Sequence, residues 1–235
     1  MNQALRREWA LLTGAGLAAL SAAAFFRPSS IVGSLPVWAW CSSLLYRFLP
    51  DNRRAGDPEL LPELGAPTHI TMFRGFLVAI ASGFLLVPSV MAPAYTAAAI
   101  LDGIDGRIAR LRKQETLLGS RLDMEVDAAG ILIASLGGIS LSKLPLWYAA
   151  IGLARYLFVL GIAVRKRAGK PIRDLDASRL RRLLAGLQMG FLAAALWPQV
   201  PKALSLAGAY PFGAATLFMF LRDWLFVSHR LRGAV

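Results

Sequence analysis

Hydrophobic residues recur in eight runs along the chain, separated by polar segments. Each run is about 18 to 22 residues long, the length that a helix needs to cross a hydrocarbon layer roughly 30 Å thick. The runs lie near residues 9–26, 31–48, 70–90, 93–110, 119–140, 144–164, 183–200 and 203–221. The pattern predicts an all-α polytopic membrane protein with about eight transmembrane helices.

A polar segment after the second run divides the chain. Residues 50–70 contain four of the thirteen prolines, which is typical of a linker, and Glu59 to Leu64 could form a short interfacial helix. We therefore expect an N-terminal transmembrane hairpin over residues 1–50, a cytoplasmic linker over 51–69, and a six-helix core over 70–235.

Lysine and arginine are concentrated in alternate polar segments. The positive-inside rule assigns residues 6–7, 47–54, 107–113, 165–182 and 222–232 to the cytoplasm, and only Arg27, Lys143 and Lys202 fall in the other loops. We interpret most of the net charge of +12 as a topology signal. The same charge attracts anionic lipid head groups and phosphate substrates. Because these two explanations account for the basic residues, no nucleic-acid partner is expected. This predicts a multi-pass protein of the cell (inner) membrane.

The first run has a second interpretation, a cleaved export signal, because Arg6 and Arg7 precede an apolar stretch and small residues. Retention is favoured, since a chain with seven further apolar runs is not a typical soluble cargo. Cys41 lies within an apolar run and is predicted to be a buried small hydrophobe.

Four aspartates lie on two successive predicted helices. Asp102 and Asp105 are spaced i, i+3 near the end of the fourth run, and Asp123 and Asp127 are spaced i, i+4 near the start of the fifth. A short connection predicts that the two helices are antiparallel neighbours. At 1.5 Å per residue, both pairs lie roughly 10 Å from the turn, so the four carboxylates are predicted to converge on the cytoplasmic side.

Converging carboxylates repel one another unless cations lie between them, and all-oxygen ligation suits Mg²⁺ or Mn²⁺. Beside them, Gly106 and Ala109 leave room for a ligand to approach the backbone, and Arg110 offers a planar donor fork for phosphate. This combination indicates a diphosphate substrate. Two alternatives stay open: ion pairs with Arg107, Arg110 or Arg121, and an ion relay in a cation transporter.

These residues form a pattern that resembles the signature of the CDP-alcohol phosphotransferase (CDP-alcohol phosphatidyltransferase) family at all eight of its positions. The eight are Asp102, Asp105, Gly106, Ala109, Arg110, Gly119, Asp123 and Asp127. The segment PTHITMFRGFL, with Thr71 and Arg74, is also similar to the family's segment before its first core helix.

The resemblance implies transfer of a phosphatidyl group from CDP-diacylglycerol to a small alcohol acceptor, with release of CMP, in phospholipid biosynthesis. It implies two metal ions held by Asp102, Asp105, Asp123 and Asp127, with Asp127 taking the acceptor's proton. It also implies a homodimer among membrane lipids. The candidates for binding the nucleotide donor are Gly106, Ala109, Arg110, Thr116, Gly119, Thr71 and Arg74.

Arg155 is the basic residue deepest within an apolar run. With Arg165 and Arg179 it is predicted to line a pocket for a phosphorylated acceptor. Glycerol 3-phosphate is the first candidate for this acceptor, and an inositol phosphate is the second. The passage loosely resembles phosphatidylglycerophosphate synthases, although Tyr156 stands where they have an acidic residue. The loop arginines are equally compatible with the positive-inside rule alone.

Two other classes of membrane protein use intramembrane carboxylates. An Mg²⁺-dependent prenyltransferase places two aspartate motifs on distant helices, whereas here both motifs lie on one predicted hairpin. A cation transporter needs no nucleotide. Release of CMP distinguishes a phosphatidyltransferase from both.

Overall fold

A computed structural model describes residues 3–112, 115–175 and 178–229, and for residues 105–112 it describes the backbone only. Within these ranges the chain is helical and contains no strand, which confirms the all-α class. The α-helices are α1 (Gln3–Phe26), α2 (Ser30–Phe48), α3 (Ala66–Gly83), α4 (Pro88–Arg112), α5 (Leu117–Ser140), α6 (Ala149–Arg167), α7 (Arg179–Leu196) and α8 (Lys202–Val227).

Within the described part of the chain, three helical segments are long and apolar enough to cross a membrane: Gln3–Phe26, Leu146–Arg167 and Lys202–Val227. On α6, the exposed side chains of Leu153, Leu157, Leu160 and Val164 recur at helical spacing and form an apolar stripe suited to contact with lipid. The eight-span topology stays a prediction.

Polar side chains mark the starts of two helices. Thr116 Oγ1 accepts a hydrogen bond of 2.9 Å from the Gly119 N–H at the start of α5, and Ser178 Oγ accepts one of 3.5 Å from the Arg181 N–H at the start of α7. Each bond satisfies a backbone donor that the first helical turn leaves without an intrahelical partner. These caps fix where the two helices emerge from the connecting loops.

The hairpin of α1 and α2 packs against the rest of the protein rather than standing apart. Two hydrogen bonds first join α1 to α2: Trp9 donates one of 2.8 Å to the Ser42 carbonyl, and Trp38 donates one of 3.1 Å to the Thr13 carbonyl. Cys41 is buried, as predicted, in a cluster that joins the hairpin to α3 and α5. A second cluster fills the space among α3, α4, α5 and α7.

Small residues let α2 and α3 approach closely, as is common between helices in membranes. A Cβ added to Gly33 would overlap the Ser82 carbonyl oxygen and lie 2.9 Å from its carbon. We expect Gly33→Ala to destabilise the protein by about 1–3 kcal/mol through overpacking. Thermal unfolding in detergent measures this, with Gly14→Ala as the control, because nothing lies within 4 Å of a Cβ at Gly14. Equal midpoints for the two variants would contradict the close approach.

The predicted interfacial helix at Glu59 to Leu64 is wrong. These residues are irregular, because the prolines at 58 and 62 lack the N–H that a helix requires. Asn52 further fixes the irregular path, since its buried amide donates to the carbonyls of Leu61 at 3.2 Å and Glu63 at 3.0 Å.

Candidate active site

Three of the four signature aspartates meet in the structure. Carboxylate oxygens of Asp102 on α4 and of Asp123 and Asp127 on α5 all lie within 4.8 Å of one another. For Asp105, Gly106, Ala109 and Arg110 the structure describes the backbone only, so the positions of the Asp105, Ala109 and Arg110 side chains lie outside the description. The spacing along two helices therefore produces a partly buried acidic cluster between the C-terminal half of α4 and the N-terminal half of α5.

The arrangement of the helices differs from the predicted one. We expected α4 and α5 to be direct antiparallel neighbours, but they meet only briefly, and each packs far more extensively against α3. The cluster is consequently built from three helices instead of two.

Arg74 of α3 reaches into the acidic cluster. Its side chain is almost fully buried, with 1% of the residue exposed. Its Nη2 lies 2.9 Å from Asp102 Oδ1 and also contacts Asp127 Oδ1, while Nη1 lies 2.5 Å from Asp123 Oδ1. Arg74, predicted as a donor-binding residue, is thus placed as a cationic partner shared by three carboxylates.

The donor set of the cluster suits a divalent cation. Carboxylate oxygens are the ligands that Mg²⁺ and Mn²⁺ favour, and octahedral bonds of about 2.1 Å place ligands roughly 3.0–4.2 Å apart. The oxygens of Asp102, Asp123 and Asp127, within 4.8 Å of one another, need to move little to reach that spacing. Among the described side chains, Arg74 supplies one positive charge to three carboxylates, and a bound cation would add positive charge to the same cluster.

Two threonines, Thr116 and Thr68, lie beside the start of α5, where the donor is predicted to bind, and a third, Thr71, is on α3. A Cβ at Gly119 would lie 3.1 Å from Thr116 Oγ1 and 3.7 Å from Thr68 Oγ1. Thr71 is buried, and its hydroxyl donates to the Pro67 carbonyl at 3.0 Å. Within the described contacts, Thr116 and Thr71 serve local helix structure, and their predicted contact with donor stays a prediction.

A cavity of about 300 Å³ opens beside the acidic cluster, between α5, α6, α7 and α8. Asp127 and Arg155 both line it. Arg155 donates a hydrogen bond of 2.8 Å to Glu125 Oε1, while its Nε is buried with no hydrogen-bond partner among the described residues. The deeply placed arginine therefore faces the same cavity as the predicted base.

Arg165 and Arg179 are not brought to this cavity. Arg165 Nη2 donates to the carbonyls of Pro171 at 2.9 Å and Ser228 at 3.3 Å, and so ties the loop after α6 to the end of α8. Arg179 is exposed. Arg181, two residues further along α7, lines the cavity instead.

Sequence reasoning missed several polar residues of the cavity. Asp223 of α8 is 8% exposed, and its Oδ2 lies 3.7 Å from Arg181 Nε. Gln188 and Thr216 share a hydrogen bond of 3.1 Å on the cavity wall. The sequence signal that could have found them is their polarity within otherwise apolar runs. A polar side chain is energetically unfavourable inside a membrane, so its presence there indicates a functional site.

Tyr95 of α4 was also missed. Its hydroxyl is buried without a hydrogen-bond partner among the described residues, and the side chain borders a small cavity with Arg74 and Asp127. No feature of the sequence distinguishes this tyrosine from an aromatic residue that only fills the core.

Comparison with known proteins bears on what this site does. Residues 64–224 match the family model described as CDP-alcohol phosphatidyltransferase. A CDP-diacylglycerol–serine O-phosphatidyltransferase of Mycobacterium leprae is 32% identical over 117 residues, which cover 48% of this chain and 38% of that protein. The protein of the same description from Mycobacterium tuberculosis is 33% identical over 117 residues, 48% of this chain and 40% of its own length.

The matched segment thus spans about two fifths of the length of these curated relatives. No solved structure matches the chain. The family match includes α3 through most of α8 and every signature position from Asp102 to Asp127. Because it covers more than half of the sequence, the chain belongs to the CDP-alcohol phosphatidyltransferase family.

Proposed function

We propose that this protein transfers a phosphatidyl group from CDP-diacylglycerol to the hydroxyl of a small alcohol and releases CMP. The observation that carries the proposal is the cluster of Asp102, Asp123 and Asp127, formed by signature residues within the family segment. Family membership favours this reaction over a prenyltransferase or a cation transporter.

In this proposal the carboxylates of Asp102, Asp123 and Asp127 hold divalent cations, with Asp105 as the fourth ligand. Two Mg²⁺ or Mn²⁺ ions are expected. When bound, they supply positive charge that neutralises the diphosphate of the donor and the charge developing on the departing CMP. Arg74 keeps the carboxylates gathered from the α3 side.

Asp127 is proposed as the general base because it borders both the acidic cluster and the 300 Å³ cavity. An alcohol in the cavity presents its oxygen to the lipid-bearing phosphorus. As the new P–O bond forms, the bond from that phosphorus to the CMP oxygen breaks, and CMP leaves with the electron pair. The proton of the alcohol passes to a carboxylate oxygen of Asp127.

The nucleotide of the donor is proposed to lie at the cytoplasmic ends of α4 and α5. The residues assigned to it are Gly106, Ala109, Arg110, Thr116, Gly119 and Thr71. Glycine and alanine permit close backbone approach, and the arginine fork suits phosphate. We place the protein in the cell (inner) membrane as a multi-pass homodimer, with this end of the bundle facing the cytoplasm.

For the acceptor, we propose an alcohol that carries both charge signs. Arg155 and Arg181 provide positive charge in the cavity, and Asp223 provides a negative charge beside Arg181. Each arginine already faces a carboxylate, which leaves less positive charge for a phosphate than the sequence alone indicated. The mycobacterial relatives are named for serine, which has this charge pattern. Glycerol 3-phosphate and inositol phosphate stay as the second candidates, supported by Arg155.

Purified protein incubated with CDP-diacylglycerol, Mg²⁺ and single acceptors tests the proposal through CMP release. We expect metal-dependent release that is faster with serine than with glycerol 3-phosphate or an inositol phosphate. No release with any alcohol would contradict phosphatidyl transfer. Preference for a phosphorylated acceptor would contradict only the assignment of the acceptor.

The acceptor assignment also predicts a selective defect in Asp223→Asn. Loss of the carboxylate that faces the acceptor's ammonium should raise the KM for serine by about tenfold or more, because truncating a buried charge pair costs about 2 kcal/mol or more. The KM for CDP-diacylglycerol should stay near that of the wild type. Asp174→Asn, an exposed position in the loop before α7, is the control. An unchanged serine KM in Asp223→Asn would remove this residue from the acceptor site.

A further inference from the structure

The segment that joins α2 to α3, which we call the strap (residues 49–63), precedes the part of the chain that matches the family model. Asn52 closes it into a fixed loop. Asn52 is fully buried, and its side-chain Nδ2 donates to the strap carbonyls of Leu61 and Glu63, while its backbone carbonyl accepts a hydrogen bond of 2.8 Å from the Leu61 N–H. These three hydrogen bonds from one buried residue join the two ends of the strap and leave it little freedom to shift.

The strap holds the first two turns of α5. The Arg53 carbonyl accepts a hydrogen bond of 2.9 Å from the Leu117 N–H, one of the backbone donors that a helix start cannot satisfy internally. One turn later, Arg121 Nη1 pairs with Asp51 Oδ2. The Arg121 guanidinium also lies over the Phe48 ring, 6.0 Å from its centroid.

Apolar contacts secure the same turns from the side. Leu118 and Leu122 are fully buried in the cluster that contains Leu49 of the strap and Leu5 of α1. Asp123 follows Leu122 directly, and Asp127 lies one helical turn further on. Because a helix is stiff over such a distance, the depth and rotation of its first two turns determine where both carboxylates lie.

Among the residues that the structure describes, α4 and α5 make few direct contacts with each other. The position of Asp123 and Asp127 relative to Asp102 therefore depends on the elements that hold α5 from outside this pair. Those elements are α2, α3, α6, α7 and the strap, and the strap is the one that bonds to the backbone N–H at the first residue of α5.

We propose that the strap is a positioning element of the metal site, and that Asp51 is a positioning residue which sets the carboxylate spacing through Arg121. The inference rests on the metal site of the proposed function. It assigns a role to a part of the chain that lies before the matched family segment. The Asp51–Arg121 pair is partly exposed, and such pairs contribute little to global stability, so a positioning effect can be separated from unfolding.

The experiment uses the full chain in detergent and follows the thermal unfolding midpoint as Mg²⁺ is added. Asp51→Arg and Arg121→Asp are each expected to raise the half-saturating Mg²⁺ concentration by about fivefold or more. The expected change is somewhat smaller than the loss of metal affinity when a group that directly hydrogen-bonds a metal ligand is removed. The double variant with the charges exchanged should return to within about twofold of the wild type, because it rebuilds the pair. Arg54→Gln, an exposed neighbour in the strap, should match the wild type.

Half-saturating Mg²⁺ unchanged in both folded single variants would overturn the proposal, as would an exchanged double variant that folds without recovering. If a charge reversal prevents folding, Asp51→Asn and Arg121→Gln replace the two reversals. Each is expected to raise the half-saturating Mg²⁺ concentration by about threefold. A half-saturating concentration equal to that of the wild type in both variants would overturn the proposal. A wild-type midpoint that does not respond to Mg²⁺ overturns it too. If the unfolding midpoint responds to Mg²⁺ but the protein releases no CMP, the proposed reaction is contradicted. The Mg²⁺ titrations of the variants then still decide whether the strap positions the metal site.

Discussion

Asp127→Asn is expected to reduce turnover by about 10²–10⁴-fold, the usual contribution of a general base, while leaving donor binding largely intact. The amide fills the same space as the carboxylate but cannot accept the proton of the acceptor alcohol. The expectation is specific to this aspartate because its side chain borders both the acidic cluster and the acceptor cavity.

Two measurements on the same preparation separate the roles of the aspartates: CMP release and binding of CDP-diacylglycerol. Asp102→Asn is the matched comparison, since it removes one negative charge from the same cluster and lies outside the residues that line the large cavity. We expect Asp102→Asn to raise the Mg²⁺ requirement together with its loss of turnover. Near-normal CMP release by a folded, metal-bound Asp127→Asn protein would exclude the general-base role. Loss of donor binding in that variant would make Asp127 chiefly a metal ligand.

Arg74→Ala is expected to give the largest loss of stability, and the loss should be greatest without Mg²⁺. Removing the guanidinium leaves Asp102, Asp123 and Asp127 without a partner that all three share. Breaking a fully buried pair costs about 3–5 kcal/mol. Here the carboxylate side chains are 30–38% exposed, so we expect about 2–4 kcal/mol. Added Mg²⁺ should restore part of this stability, since it supplies the missing positive charge.

Unfolding midpoints with and without Mg²⁺ measure the effect of Arg74→Ala. Arg74→Lys should be intermediate, because lysine keeps the charge but cannot bridge several carboxylates with a planar fork. Arg27→Ala is the control for loss of an arginine, since Arg27 is exposed and lies over the Phe84 ring. An Arg74→Ala protein as stable as the wild type in the absence of Mg²⁺ would refute the role of Arg74 as the partner of the cluster. Weakened donor binding in that stable variant would support its first assignment, as a donor-binding residue.

The helices were largely predictable because their signals are local. Long apolar runs anticipated all eight α-helices of the described chain. The predicted bounds were less accurate: α3 begins at Ala66 and α7 at Arg179, four residues before the corresponding apolar runs. A helix begins where a cap or an N-terminal proline permits it, and hydrophobicity begins only where the helix enters apolar surroundings.

The acidic cluster was predictable for a similar reason. Asp123 and Asp127 lie on one face of α5 because their spacing is one helical turn, and this holds however the helix is packed. The fixed pattern of eight signature residues carried the family assignment, which the match over residues 64–224 confirms.

Tertiary packing alone decided which other residues join these aspartates. Arg179 and Arg181 are two positions apart, about 200° around a helix, so the rotation of α7 determined that Arg181 faces the cavity with Asp223. Likewise, Arg74 reaches the carboxylates because α3 lies between α4 and α5. Contacts between segments far apart in sequence depend on helix order, depth and rotation. A single sequence determines these only through the combined packing of all its helices.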